Sequence, residues 1–175
     1  MGIVKEVAGW IFEIVVTILI AFTCVYFAGL RTSVVGQSME GTLSSGDEIL
    51  VNRFLYKVTD PKPNDLVVFL PNVNEKSHYY VKSVIAVPGD TVLIKNGAVY
   101  VNGELFQEEA EVASIEEAGL AAEEITLGDD EYFVLGDNRN NSEDSRYANI
   151  GNVKKEYMIG KAWFRIAPLG KFGFL

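Results

Sequence analysis

Ser38, Lys82 and the polar run Gly136-Asp137-Asn138-Arg139-Asn140-Asn141-Ser142-Glu143-Asp144-Ser145-Arg146 hold the side chains of this chain best suited to covalent chemistry. Ser38 lies in Val34-Val35-Gly36-Gln37-Ser38-Met39, eight residues past the end of a long apolar stretch. A serine hydroxyl becomes a nucleophile when an adjacent base takes its proton. The one histidine, His78, sits in Lys76-Ser77-His78-Tyr79-Tyr80, where polar neighbours favour a solvated ring over a Ser-His-Asp triad. Lysine is the remaining candidate base. The plainer alternative for Ser38 is a surface serine in a linker.

Lys82 interrupts Tyr79-Tyr80-Val81-Lys82-Ser83-Val84-Ile85-Ala86-Val87, a run too apolar to be solvated on both faces. With a period of two, Lys82 shares a face with Tyr80, Val84 and Ala86. Burial disfavours an ammonium and lowers its pKa, and a lysine without its proton near neutrality can serve as a general base. On pattern alone the commoner outcome is a strand lysine whose stem packs while its head reaches water. The run from Gly136 to Arg146 is too polar for a strand and dense in Asp, Asn and Arg, which close turns and form bidentate pairs. Function concentrates in such loops, although a well-ordered structural turn would look the same.

Composition excludes several classes. His78 and Cys24 are the only His and Cys, so a structural zinc site is excluded, and no phosphate-cradling glycine loop is present. No basic stripe with interleaved aromatics argues for nucleic acid. The net charge of −9 is local: residues 104–131 hold eleven acidic residues and no Lys or Arg, and the remainder is mildly positive. That acidic excursion reads as a solvated face or a mobile insertion.

The elements that must position these residues begin with an anchor. Residues 7–30 contain one charge, Glu13, and are long enough to cross a hydrocarbon layer of about 30 Å. The run is too long for a cleaved signal core, and Arg31 follows Ala28-Gly29-Leu30 directly, so permanent anchoring is expected. Residues 1–6 form a short tail and 31–175 one domain. Lys5 and Arg31 flank the span too evenly for charge to set its orientation. Beyond it, 47–54, 65–70, 79–87, 91–95, 98–101, 131–135 and 161–167 read as strands, with Asn96-Gly97 and Asn102-Gly103 as tight hairpin turns. Residues 115–124 are a weak helix candidate. Residues 163–175 read as a closing strand with a packed tail, or as a rim that touches a membrane.

Together these segments closely resemble the type I signal peptidases (leader peptidases), membrane-bound Ser/Lys endopeptidases, in their single-anchor form. Gly36-Gln37-Ser38-Met39 with Thr42-Leu43 resembles the nucleophile box, and Gly46-Asp47 with Val51-Asn52-Arg53 the next. Lys82 with Val84-Ile85 and Pro88-Gly89-Asp90 resembles the lysine box, and Gly136 to Arg146 the Gly-Asp-Asn-Arg box. Pro168 and Phe172-Gly173-Phe174 fit as well. Three positions depart from the pattern: Gly41 where proline is usual, Ser83 where an arginine commonly follows the lysine, and Gly36 where some members carry an oxyanion hydroxyl.

The resemblance implies a mainly β fold, an N-terminal transmembrane helix followed by coiled antiparallel sheets. It implies that Ser38 attacks the carbonyl after the last signal-peptide residue, with Lys82 as general base and the Ser38 main-chain N–H as oxyanion donor. By the same resemblance Ser142 orients the lysine amine, Asp144 and Arg146 form a supporting ion pair, and Asp137 and Asn138 shape the loop. No metal or cofactor is implied. The implied partners are secretory preproteins and the lipid bilayer, with the protein translocation machinery as a further candidate and no nucleic acid. The implied location is the cell membrane, single-pass, with a cytoplasmic N-terminus and an extracytoplasmic catalytic domain. A self-cleaving Ser/Lys processing protein would share the dyad, and a membrane-tethered binding module would keep Ser38 and Lys82 apart and solvated.

Overall fold

The computed structural model describes residues 2–71 and 78–175, which leaves Lys76 and Ser77 outside the described residues. Helix α1 (Gly2–Ala28) has 27 residues, about 40 Å of rise. Its stretch Lys5–Thr23 has a mean hydropathy of 1.9, none of it is buried, and it is long and apolar enough to cross a membrane. Trp10, Phe12, Ile18 and Phe22 stand exposed on it, an apolar surface of the kind that marks contact with a membrane or a partner. The helix stops at Ala28, two residues short of the apolar run. Gly29 and Leu30 instead open β1 (Gly29–Ser33), because their partners are Asn52 and Val51 of β2 (Glu48–Asn52).

The rest is two antiparallel sheets. The larger, of eight strands, runs β1-β2-β11-β3-β4-β9-β10, with β12 (Gly173–Phe174) beside β11. Its central members are β3 (Leu66–Phe69), β4 (Tyr80–Ala86), β9 (Glu131–Leu135) and β11 (Met158–Ala167), and β10 (Val153–Lys154) closes one edge. All four residues of β3 are buried, since apolar clusters cover both faces. Leu66 and Val68 pack with Met39, Leu43, Ile49 and Val51. Val67 and Phe69 pack with Tyr56, Val84, Tyr132 and Val134. Tyr56 belongs to a single helical turn, α2 (Leu55–Val58).

The smaller sheet, β7-β6-β5-β8, comprises β5 (Thr91–Lys95), β6 (Ala98–Val101), β7 (Glu104–Leu105) and β8 (Ile125–Thr126). Asn96 and Gly97 both have positive φ, 53° and 78°, as the expected β5–β6 hairpin requires.

Two expectations fail for local reasons. Strict alternation does not hold along β4: a bulge between Val84 and Ala86 breaks it, so Ala86 joins Ile85 and Phe133 rather than the cluster of Val84. Residues 115–124 form no α-helix, only a 3₁₀ turn at Gly119–Ala122. Their backbone donors are spent on neighbours, Ile115 N on Gly97 O and Leu120 N on Arg146 O, and Gly119 has a φ of 56°. The acidic excursion is solvated on one side only. Its glutamates 109, 111, 116, 117, 123 and 124 are exposed, while Ile115, Ala121 and Leu127 are buried in the core.

Candidate active site

Ser38 sits in the turn between β1 and β2. That turn is closed at its base by Val34 N to Asp47 O (2.8 Å) and Gly46 N to Val34 O (2.9 Å). Met39 and Leu43 pin it into the core, and Leu43 N donates to Met39 O at 2.7 Å. Arg165 of β11 holds the far side, through Asp47 at 3.1 Å and Thr42 O at 2.7 Å. Gly41 has a φ of 112°, which a proline ring locked near −65° could not reach, so the departure at this position goes with a different local turn. Among the described residues no backbone acceptor takes the Ser38 amide. Its carbonyl accepts from Asn138 N at 3.0 Å.

Lys82 lies in β4 opposite Val67 and is 1% exposed. Burial lowers its pKa from 10.5 to about 8, and the neighbouring Asp144, Asp137 and Glu143 hold it from falling further. The amine donates to Ser142 Oγ at 3.1 Å, and Ser142 in turn donates to Asp144 Oδ2 at 2.8 Å. Because the Ser142 proton is directed to a carboxylate, its oxygen can only accept from Lys82. A neutral amine therefore keeps its lone pair for another partner.

The loop 136–146 is ordered by its own polar side chains. Asp144 is fully buried and also accepts from Gly136 N (3.1 Å) and from Arg146 Nε (2.8 Å) and Nη2 (2.9 Å). Asn138 Nδ2 donates to Gln37 O at 3.0 Å, tying this loop to the Ser38 turn. Gly136 is the point of closest approach. A Cβ there would lie 2.2 Å from Ser142 Oγ and 2.4 Å from Ser38 O, so any side chain would force the two apart. At the position where an arginine is common, Ser83 donates to Asp137 Oδ1 at 2.7 Å, an uncharged donor where a guanidinium would have formed an ion pair.

The loop is also held by partners in the acidic excursion that the sequence did not give away, Glu108, Ser114, Glu116 and Glu117. Arg139, 2% exposed, pairs with Glu108 at 2.8 Å. Asn140 donates to Ser114 O and accepts from Glu116 N, both at 3.0 Å. Arg146 Nη1 donates to Glu117 O at 3.1 Å. The acidic excursion is thus a strap along the back of the loop, with Gly119 against the Arg146 carbonyl. A carboxylate-rich segment beside an arginine-bearing loop was the available signal, but the pairing is set by tertiary contact.

Ser38 and Lys82 open onto one cleft of about 550 Å³, with Val34, Met39, Tyr80 and Val81 among its walls. The cleft thus carries a half-buried hydroxyl, Ser38, and a buried amine of lowered pKa, Lys82, the amine being bonded to Ser142. Residues 7–167 match the family model described as "Signal peptidase, peptidase S26". The chain belongs to the S26 family of signal peptidases.

Among its relatives, Signal peptidase I P of Bacillus subtilis subsp. natto is 35% identical over 95% of this chain and 92% of its own length. Signal peptidase IB of Staphylococcus aureus is 34% identical over 96% and 93%. A probable signal peptidase I-2 of Synechocystis is 36% identical over 84% and 70%. A solved signal peptidase I of Enterococcus faecalis is 27% identical and covers 59% of this chain and 97% of its own, with a TM-score of 0.46. As a member of this family the chain is a serine peptidase, a hydrolase.

Proposed function

We propose that this signal peptidase removes N-terminal signal peptides from secretory preproteins with Ser38 as nucleophile and Lys82 as general base. Ser38 Oγ attacks the carbonyl after the last signal-peptide residue while Lys82 Nζ takes the hydroxyl proton. The tetrahedral oxyanion is met by the Ser38 N–H, a donor whose loss typically costs about 2.7–4 kcal/mol of barrier. Collapse breaks the C–N bond, and Lys82 returns the proton to the departing amine of the mature protein. Water, deprotonated by the same lysine, then hydrolyses the ester and frees the signal peptide. Ser142 holds the amine in place, Asp144 and Arg146 hold Ser142, Asp137 ties the loop to Ser83 of β4, and Asn138 keeps the loop against the Ser38 turn.

The observation that carries this assignment is the burial of Lys82 on the cleft it shares with Ser38, with a pKa lowered to about 8. The length and apolar surface of α1 and the exposed tail residues Trp163, Leu169, Phe172 and Phe174 favour a bilayer as the second partner. We take the domain after α1 to lie on the extracytoplasmic face of the cell membrane, where the translocation machinery delivers preproteins. Ser38→Ala and Lys82→Met should each abolish preprotein cleavage by the full chain in detergent, and both should melt as folded proteins. Retained cleavage by Lys82→Met would remove the lysine from its assigned role.

A further inference from the structure

Glu143 follows Ser142 in the loop, yet it does not join the buried ion pair beneath. Asp144 is committed to Ser142, Gly136 and Arg146. Glu143 is exposed and forms part of the cleft wall, where the Tyr80 hydroxyl donates to its Oε2 at 3.3 Å. That bond joins the loop to β4 across the cleft, beside Lys82, whose Nζ lies 5.7 Å from the Tyr80 ring centroid. Among the described lining residues Glu143 is the one carboxylate, and Lys82 is the one Lys or Arg. The base must be uncharged to act, so in the reacting form the carboxylate on the rim has no cationic side chain of Lys or Arg in the cleft to offset it.

We propose, resting on the function given above, that Glu143 is a specificity-determining residue that favours preproteins carrying Lys or Arg near the cut over those carrying Asp or Glu. The carboxylate is partly solvated, so the discrimination is modest. A change from Glu to Lys at the responsive substrate position should raise kcat/KM about three- to ten-fold at low salt. The preference should shrink at high salt, because exposed charges are screened.

The test uses the full chain in detergent and a signal-peptide substrate in which Lys or Glu is scanned through four positions before and two after the cut. Wild type, Glu143→Gln and Glu143→Lys are compared by the Lys/Glu ratio of kcat/KM at each position. The ratio cancels any general effect of the substitution on turnover or folding. Glutamine can still accept from Tyr80. The expected result is a Lys preference at one position or more in wild type, close to unity in Glu143→Gln and reversed in Glu143→Lys. Equal ratios in all three proteins at every position would overturn the proposal while leaving the peptidase assignment standing. Failure of the wild type to cut even the uncharged parent peptide would overturn both.

Discussion

Lys82 is the residue on which the chemistry and the stability of the molecule pull in opposite directions. Its folded pKa of about 8 lies below the ordinary 10.5 because burial penalises the ammonium. In its proposed role as the base Lys82 must be a neutral amine, so kcat/KM should climb with pH and reach half its plateau near pH 8, measured on a peptide without titrating side chains. Stability follows the same group. Between about pH 8 and 10.5 the unfolded chain binds the proton that the folded chain has lost, so stability rises with pH across that window. Lys82→Met removes the linkage. Relative to wild type it should gain most at pH 7, by on the order of 3 kcal/mol, and the gain should fade toward pH 10.5 in urea titrations. The sequence announced this residue through its place in an apolar run. It could not announce the depth of burial, which depends on Tyr80, on Ser142 and on the cluster around Val67 and Phe69.

At the scale of elements, the strands were legible where side chains alternate or Asn-Gly pairs punctuate them, as in β2, β5 and β6. They were not legible where pairing overrides pattern. β1 merges with the apolar run before it, and the bulge in β4 leaves no mark in composition. The loop 136–146 could be recognised from its residue types, whereas its strap could not, because Glu108 and Asn140 find their partners only after folding. Two glycines separate the jobs of these elements. Gly136→Ala would insert a methyl between Ser142 Oγ and Ser38 O, so it should lower kcat by about 10²-fold or more. Gly119→Ala would strike the Arg146 carbonyl from behind, 2.3 Å away, and adopt an unfavourable φ. It should lower the melting temperature and reduce activity less than Gly136→Ala does. A larger loss of kcat in Gly119→Ala would mean that the strap, more than the glycine contact, sets the loop.

For the molecule as a whole, what matters is how α1 meets the sheet. Ala28 is followed at once by the first paired residue, Gly29, and β2 carries the other side of the turn that holds Ser38. No free linker intervenes. Inserting four Gly or Ser residues between Ala28 and Gly29 should therefore leave cleavage of a short soluble peptide in detergent intact. The same insertion should slow processing of a membrane-inserted preprotein several-fold, since effective concentration falls with tether length. Equal slowing on both substrates would point to damage in β1 instead. With α1 as the proposed anchor, so direct a junction would make the enzyme a gauge as well as a blade: it would cut only bonds that emerge at the altitude its own stalk dictates, and a preprotein would be sorted by how far its cleavage point stands off the lipid before any side chain is inspected.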